Sequence, residues 1–414
     1  MRAGRWTRDW SGIISRIAFV STYPPRPCGV AAFTYDLATT LGEREIVALH
    51  TPGEHGPYAA EVRHQIRRDV QENYHFVARQ LNTNGVNVVS VQYDQDIWGG
   101  GQGAYILDFV RDLTVPFVVT LHRADRDLTA EQAAILTELA HRAGAVVVMS
   151  RAAQAVVSGL RGVDPARIEL VPYGVPALPL LSSVAAKPRM GMQGKSLILT
   201  FGLMEPGKGI ESVVQAMPAI LRQHPSAHYV VVGAPRPDLD ESDRQAHESE
   251  LASLVARSGV GTHIERIPRY VGRTELAKWL QAADLFVAPS TRIERTVTGT
   301  VAFAMGAGKA IVATRSPYAA EQLADGCGRL VAPDAPEEIA AAAIEILANQ
   351  DLRAEMGRRA YERSRPMVWW KVAAEYRRIF ERVADAGRSP SGRSVGRTPA
   401  HPRVFSQTSG PLVA

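Results

Sequence analysis

Short apolar runs, recurring in two series and separated by stretches of helical periodicity, limit the folds open to this chain more than any other feature. The first series falls at 17–21, 46–50, 86–92, 117–121, 145–149 and 168–172. The second falls at 197–201, 229–233, 263–267, 285–288, 310–314 and 328–331. A strand that is apolar on both faces needs cover on both, which helices between parallel strands provide. Each series therefore predicts one doubly wound α/β domain, at 1–178 and 195–368. Between them, 179–194 trades periodic apolar residues for Pro, Ser, Ala, Lys and Gly and reads as a linker. Val372, Ala373, Tyr376, Ile379 and Phe380 predict a closing amphipathic helix over 369–386. The remaining 387–414, rich in Gly, Ser, Pro and Arg, is expected to be disordered.

Length and charge agree with this division. A chain of 414 residues is long enough for two independent cores. Its net charge of +5 comes largely from Arg388, Arg393, Arg397 and Arg403 in the tail, which leaves the body close to neutral and gives no support to nucleic-acid binding. The two cysteines, Cys28 and Cys327, exclude a disulfide framework, and no Cys/His cluster has zinc-ligand spacing. Ser15 and Arg16 interrupt the apolar residues at 13–20, so this segment reads as the first strand, not as a leader. No apolar run approaches the roughly 18 residues of a membrane span. A soluble, cytoplasmic protein is expected.

In open α/β sheets, ligands bind beyond the carboxyl ends of the strands, so the residues after each run matter most. The run at 197–201 breaks at Gly202, turns through Pro206 and Gly207, and reaches Lys208 and Gly209 before Ile210, Val213, Val214 and Met217 recur at helical spacing. Backbone N–H groups at a helix start, with a cation beside them, suit a phosphate, although the Walker A spacing is absent. After 17–21 come Pro24, Pro25, Arg26, Pro27 and Gly29, ahead of a helix from about Ala31. This is either a rigid connection or, as preferred here, a ligand loop in which Gly29 admits a close approach. Tyr93 and Asp94 follow the third run and suit sugar hydroxyls, with a solvated polar loop as the alternative. His122 closes the run at 117–121. Within 289–300, Thr298, Gly299 and Thr300 form a second anion-friendly helix start, and Thr298 also fits an ordinary N-cap. Glu294, between Arg292 and Arg295, reads as a functional carboxylate or as part of an exposed ion cluster. Glu321 lies in the first turn of a later helix, where dipole matching alone would place it.

Together these segments resemble the retaining glycosyltransferases of the GT-B fold, family 4, over about 16–380. The resemblance is strongest in 201–217 and 284–331, where Ala304-Met305-Gly306-Ala307-Gly308-Lys309-Ala310-Ile311-Val312-Ala313-Thr314 is similar to the family's A-M-A-x-G-x-P-V-V-A-T run. Val171 to Val175, Leu121-His122 and the helix around Trp370 also match family segments. The resemblance implies two Rossmann-like domains facing across a cleft, the first holding an acceptor and the second a nucleotide-diphosphate sugar. It implies catalytic roles for His122, Lys208 and Glu294. Gly202, Lys208, Arg292, Thr298, Gly299, Thr300 and Glu321 would bind the donor, and Gly29, Tyr93 and Asp94 the acceptor. No metal and no separate cofactor are implied. Two departures stand out. Leu203 occupies the place of the family's diphosphate-binding arginine, with Arg292 or Arg295 as candidates to restore the cation. Arg295 and Phe303 occupy the places of the paired glutamates, with Glu294 one residue from the first.

The expected activity is transfer of a hexosyl group, with retention, from a nucleotide-diphosphate sugar to an acceptor hydroxyl. The expected acceptor is a carbohydrate or is lipid-linked, and the latter leaves room for peripheral membrane contact. A glycoside phosphorylase, in which inorganic phosphate replaces the nucleotide, is the nearest alternative. A non-catalytic scaffold is another. A sugar-nucleotide epimerase ranks last, because the cleft lacks a paired acid and base.

Overall fold

The computed structural model describes residues 16–388, apart from 43–44, 52 and 54–56. Seven parallel strands form the first sheet: β1 (Ile17–Ser21), β2 (Glu45–His50), β3 (Val62–Arg67), β4 (Val88–Tyr93), β5 (Phe117–Leu121), β6 (Ala145–Val148) and β7 (Ile168–Leu170), in the order β3-β2-β1-β4-β5-β6-β7. Six more form the second: β8 (Ser196–Phe201), β9 (Ala227–Val232), β10 (Ile264–Ile267), β11 (Leu285–Ala288), β12 (Ala310–Thr314) and β13 (Arg329–Val331), in the order β10-β9-β8-β11-β12-β13. The chain reverses its direction of travel between β1 and β4 in one sheet and between β8 and β11 in the other. Such switch points open a crevice at the carboxyl ends of the strands. The loops after these four strands carry most of the candidate residues.

β3 was not expected. Its sequence, Val-Arg-His-Gln-Ile-Arg, is mostly polar, and only Ile66 is buried. An edge strand needs cover on one side alone, and its charged side chains discourage pairing with another chain. The helix expected from Ala31 begins at Gly29. The closing helix runs Trp369–Arg388, so Gly387 belongs to it, while 389–414 of the expected tail lie outside the described residues.

The segment read as a linker packs against the second sheet. It contains a helical turn, Ser183–Ala186, followed by a 3-10 turn, Lys187–Met190. Lys187 Nζ lies 2.6 Å from Asp284 Oδ2, the Ser183 hydroxyl donates to Oδ1 at 2.6 Å, and the Leu197 N–H donates to Oδ2 at 2.7 Å. One buried carboxylate thus fastens the segment to the first residues of β8.

The chain crosses between the two sheets twice, side by side. The Val175 N–H donates to the Met367 carbonyl at 2.9 Å and the Trp369 N–H to the Val175 carbonyl at 3.0 Å. Gly174 is required there, because a Cβ would collide with the Trp369 ring. The Trp369–Arg388 helix then returns to the first sheet, where Phe380 meets Phe19 edge-on and the Tyr376 hydroxyl lies 3.0 Å from Thr120 Oγ1. Among the described residues, no helix is long and apolar enough to cross a membrane.

Candidate active site

A cleft of about 350 Å³ lies between the two sheets. Its second-sheet wall is built from the β8 and β11 loops. Gly202 has φ +138°, a backbone conformation that favours glycine, and a Cβ there would sit 2.7 Å from Lys208 Nζ and displace the end of that side chain. Gly209 has φ +76° at the N-cap of Ile210–Gln223, where a Cβ would collide with the Pro289 carbonyl and push the two loops apart. Opposite Lys208, Thr298 occupies the N-cap position of Gly299–Gly306, yet its hydroxyl makes no capping hydrogen bond. Thr298, Gly299 and Thr300 line an adjoining pocket of about 190 Å³ with Lys208, Arg292 and Arg295.

The three cations of this wall are not equivalent. Arg292 spans Glu205, with Nη1 3.3 Å from Oε1 and Nη2 3.1 Å from Oε2. The same Glu205 receives Arg236 Nη1 at 2.7 Å, and Arg236 pairs with Asp96 at 2.9 Å as well, so Arg292 belongs to a shared ion network. Lys208 and Arg295 form no ion pair among the described residues. Burial lowers the pKa of Lys208, Glu205 opposes that shift, and Arg295 and Arg292 add to it. Burial likewise lowers Arg295, with Arg123 in the same direction and Asp94 and Asp125 against it. Two desolvated like charges on one wall, neither in a direct ion pair, are favourable beside an anion.

Across the cleft, the carboxyl ends of β1, β4 and β5 supply Gly29, Asp94 and His122. A Cβ on Gly29 would meet no protein atom within 4 Å, so the space before it is open. Asp94 Oδ1 accepts the Asp96 N–H at 3.0 Å, and burial, then Asp96, raises its pKa against the pull of Arg123. His122 is 9% exposed, and burial pulls its pKa down to about 3, so the ring is neutral at physiological pH. Ionic contacts hold the walls together: Arg26–Asp238 at 2.6 Å, Arg68–Asp238 at 3.1 Å, Arg236–Asp96 at 2.9 Å and Arg273–Asp36 at 2.9 Å.

Two family models cover most of this architecture. "Glycosyltransferase Family 4" matches residues 27–177, and "Glycosyl transferases group 1" matches 195–349. The chain belongs to this glycosyltransferase family. It is similar to the D-inositol 3-phosphate glycosyltransferase of Kineococcus radiotolerans, 30% identical over 56% of each chain. It is also similar to the phosphatidyl-myo-inositol mannosyltransferase of Mycolicibacterium smegmatis, 33% identical over 47% of each. The chain thus spans about half the length of the curated relatives it matches. Among solved structures, Anabaena HepE in complex with UDP superposes with a TM-score of 0.70 at 15% identity, over 89% of this chain and all of that one. Sucrose-phosphate synthase of Thermosynechococcus elongatus reaches 0.70 at 18% identity, over 90% of this chain and all of that one. The fold is therefore GT-B.

Within this family 4 fold, several expected site residues are placed elsewhere. Tyr93 ends β4 on the face shared by Val89 and Val91; it is 2% exposed and its hydroxyl donates to the Gln102 carbonyl at 3.0 Å. Strand alternation turns Asp94, not Tyr93, to the cleft. A turn at 293–294 sends neighbouring side chains to opposite sides. Arg295 lines the cleft, while Glu294 lines a separate pocket of about 180 Å³ with Tyr93 and Asp125. Glu321 accepts the Arg151 N–H at 2.9 and 3.2 Å, at the start of helix Arg151–Ser158, and so joins the two domains without lining the cleft. Phe303, at the place of the second family glutamate, lines the cleft and packs 6.1 Å from Phe201 and 6.3 Å from Tyr173.

Other cleft residues were not singled out from the sequence. Arg236 follows β9 and would have been found by reading every strand end alike. Asp36 and Arg273 lie on helices Gly29–Leu41 and Arg273–Ala282, and no local pattern marks them. Outside the cleft lining, Ser90 and Gln92, two apart in an otherwise apolar strand and fully buried, left a readable signal.

Proposed function

We propose that this chain transfers a hexosyl group from a nucleotide-diphosphate sugar to a hydroxyl of a carbohydrate or lipid-linked acceptor, with retention at the anomeric carbon. The observation that carries the reading is the pair of cations that, among the described residues, stand in no direct ion pair, Lys208 and Arg295, beside the start of helix Gly299–Gly306 and across one cleft from Asp94 and His122. The diphosphate lies against Lys208, Arg295 and the N–H groups of Gly299 and Thr300. As the bond from the anomeric carbon to the phosphate oxygen breaks, charge grows on that oxygen, and fixed cations stabilise it more than the ground state. The acceptor hydroxyl forms the new bond on the face the diphosphate leaves, and its proton passes to the departing phosphate oxygen. Neutral His122 and Asp94 hold hydroxyl groups. The names of the curated relatives support a sugar or lipid acceptor, and their inositol-based acceptors are the first to try.

The reading is tested by thermal-shift titration with UDP, GDP, ADP and inorganic phosphate, for wild type and Lys208→Ala, followed by NMR of the product anomer with the matching nucleotide sugar. A nucleoside diphosphate that stabilises only the wild type, and a retained anomer, are the expected results. Phe303 at the site of a ribose-binding carboxylate favours one second reading, a glycoside phosphorylase. A shift with inorganic phosphate and with no nucleotide would select it.

A further inference from the structure

Ser90, Gln92 and Thr120 are uncharged polar residues, each fully buried, on a sheet face that is otherwise apolar apart from Ser21. An amide in such a place costs stability unless it is hydrogen-bonded, so its retention needs a reason. Gln92 uses both ends of its amide: Nε2 donates to Ser90 Oγ at 3.0 Å, and Oε1 lies 2.8 Å from His122 Nε2. With the amide in this orientation its oxygen accepts, so His122 Nε2 carries the hydrogen and Nδ1 is left with a lone pair. The Trp98 indole N–H donates to the Gln92 carbonyl at 2.9 Å and the His122 N–H to the Tyr93 carbonyl at 2.8 Å, which fixes both backbones. Phe33 meets the imidazole edge-on at 4.9 Å and closes one side of it. Nδ1 has no hydrogen-bond partner among the described residues, and His122 lines the cleft.

We propose that Gln92, itself oriented by Ser90, is a positioning residue that locks His122 in its Nε2–H tautomer and so offers Nδ1 as a hydrogen-bond acceptor to a hydroxyl of the bound sugar. This inference rests on the glycosyl-transfer reading for the nature of the ligand and on the geometry of β4 and β5 for the tautomer. The ring then acts as a fixed acceptor: it selects a substrate that presents a hydroxyl donor and neither gives nor takes a proton during transfer.

The test is a long-range ¹H–¹⁵N correlation spectrum of the full chain labelled at histidine, with the His122 signals identified by their loss in His122→Asn. The expected pattern is a protonated Nε2 and an unprotonated Nδ1 at pH 7. In Gln92→Leu the lock is gone, and a mixture of tautomers should appear. With the nucleotide sugar found by the binding panel, Gln92→Leu should lower kcat about tenfold, as the loss of one well-placed hydrogen bond does, with donor KM little changed. Ser90→Ala should move both readouts in the same direction by less. A protonated Nδ1 or an imidazolium in the wild type overturns the proposal, as does an unchanged tautomer in Gln92→Leu. If Gln92→Leu does not fold, the wild-type spectrum and Ser90→Ala decide. The tautomer is read without ligand, so a protein that binds no nucleotide refutes the transfer reading separately.

Discussion

Arg292 and Arg295 lie three residues apart beside the same pocket, and the structure assigns them different electrostatic worth. Replacing each with methionine keeps much of the side-chain volume and removes the charge. Arg295 has no direct ion pair among the described residues, and Asp94 and Asp125 act on it only from beyond contact distance, so a bound diphosphate feels most of its charge. Two unit charges 4 Å apart attract by about 4 kcal/mol at an effective dielectric near 20; halving this for solvent in the open cleft leaves about 2 kcal/mol, or about thirtyfold in affinity. Arg292 lies 3.1 and 3.3 Å from the carboxylate of Glu205, so an anion in the pocket meets a nearly compensated pair. Its loss should cost about 0.5 kcal/mol, or about twofold. Isothermal titration calorimetry at one ionic strength, with the nucleoside diphosphate the wild type prefers, measures both. Arg295→Met breaks no direct ion pair; it removes repulsion with Lys208 and Arg123 together with attraction to Asp94 and Asp125, so the free protein should melt close to wild type. Equal losses for the two variants, or a larger loss for Arg292→Met, would refute the assignment.

Burial pushes the Asp36 carboxyl up from 3.8 to about 6, with Arg273 opposing, so the folded state holds this proton more tightly than the unfolded state. Its contribution therefore favours folding below pH 4 and fades as pH rises to about 6, and Asp36→Asn should gain about 3 kcal/mol relative to wild type between acid and pH 8 in parallel urea melts. Asp284→Ala leaves Lys187 buried without its partner and should lower unfolding stability by about 3–5 kcal/mol, whereas a loss under 1 kcal/mol would mean the 179–194 segment is held by packing alone. Cys28 lines the cleft and Cys327 is 3% exposed, so maleimide should label one thiol quickly, and a saturating nucleoside diphosphate should slow that labelling about tenfold by protecting the folded, occupied cleft.

The sheets were legible because a parallel strand covered on both faces cannot hide its composition. Every run of the two series became a strand within about two residues, while β3, covered on one side, carried no such mark. The phosphate side of the cleft was legible for a related reason, since Gly202, Lys208, Gly209 and Thr298 to Thr300 sit in single strand-to-helix turns whose geometry is local. Side-chain direction was not legible. Glu294 and Arg295 are neighbours in sequence, and one turn decides which of them meets the cleft. Tyr93 and Asp94 divide in the same way at the last residue of a strand. Glu321 depends on the approach of Arg151, 170 positions away, which no local pattern encodes.

The paired crossings at Val175 and Val368 act as the pin of a door. Both strands of the connection pass through one line, tied by backbone hydrogen bonds, so the sheets can swing about that line without either losing internal structure. What such a swing must break includes the row of arginine–aspartate contacts across the cleft and the hydrogen bonds of Arg151 to Glu321 and of Thr296 to Asp125. Partly solvated pairs of this kind contribute about 0–1 kcal/mol each and weaken with salt. The latch is therefore shallow beside the pin, and small-angle scattering should show the radius of gyration growing as salt rises, with an unchanged radius contradicting the hinge. A cleft built this way can let a bulky ligand go by loosening its rim while each leaf stays assembled.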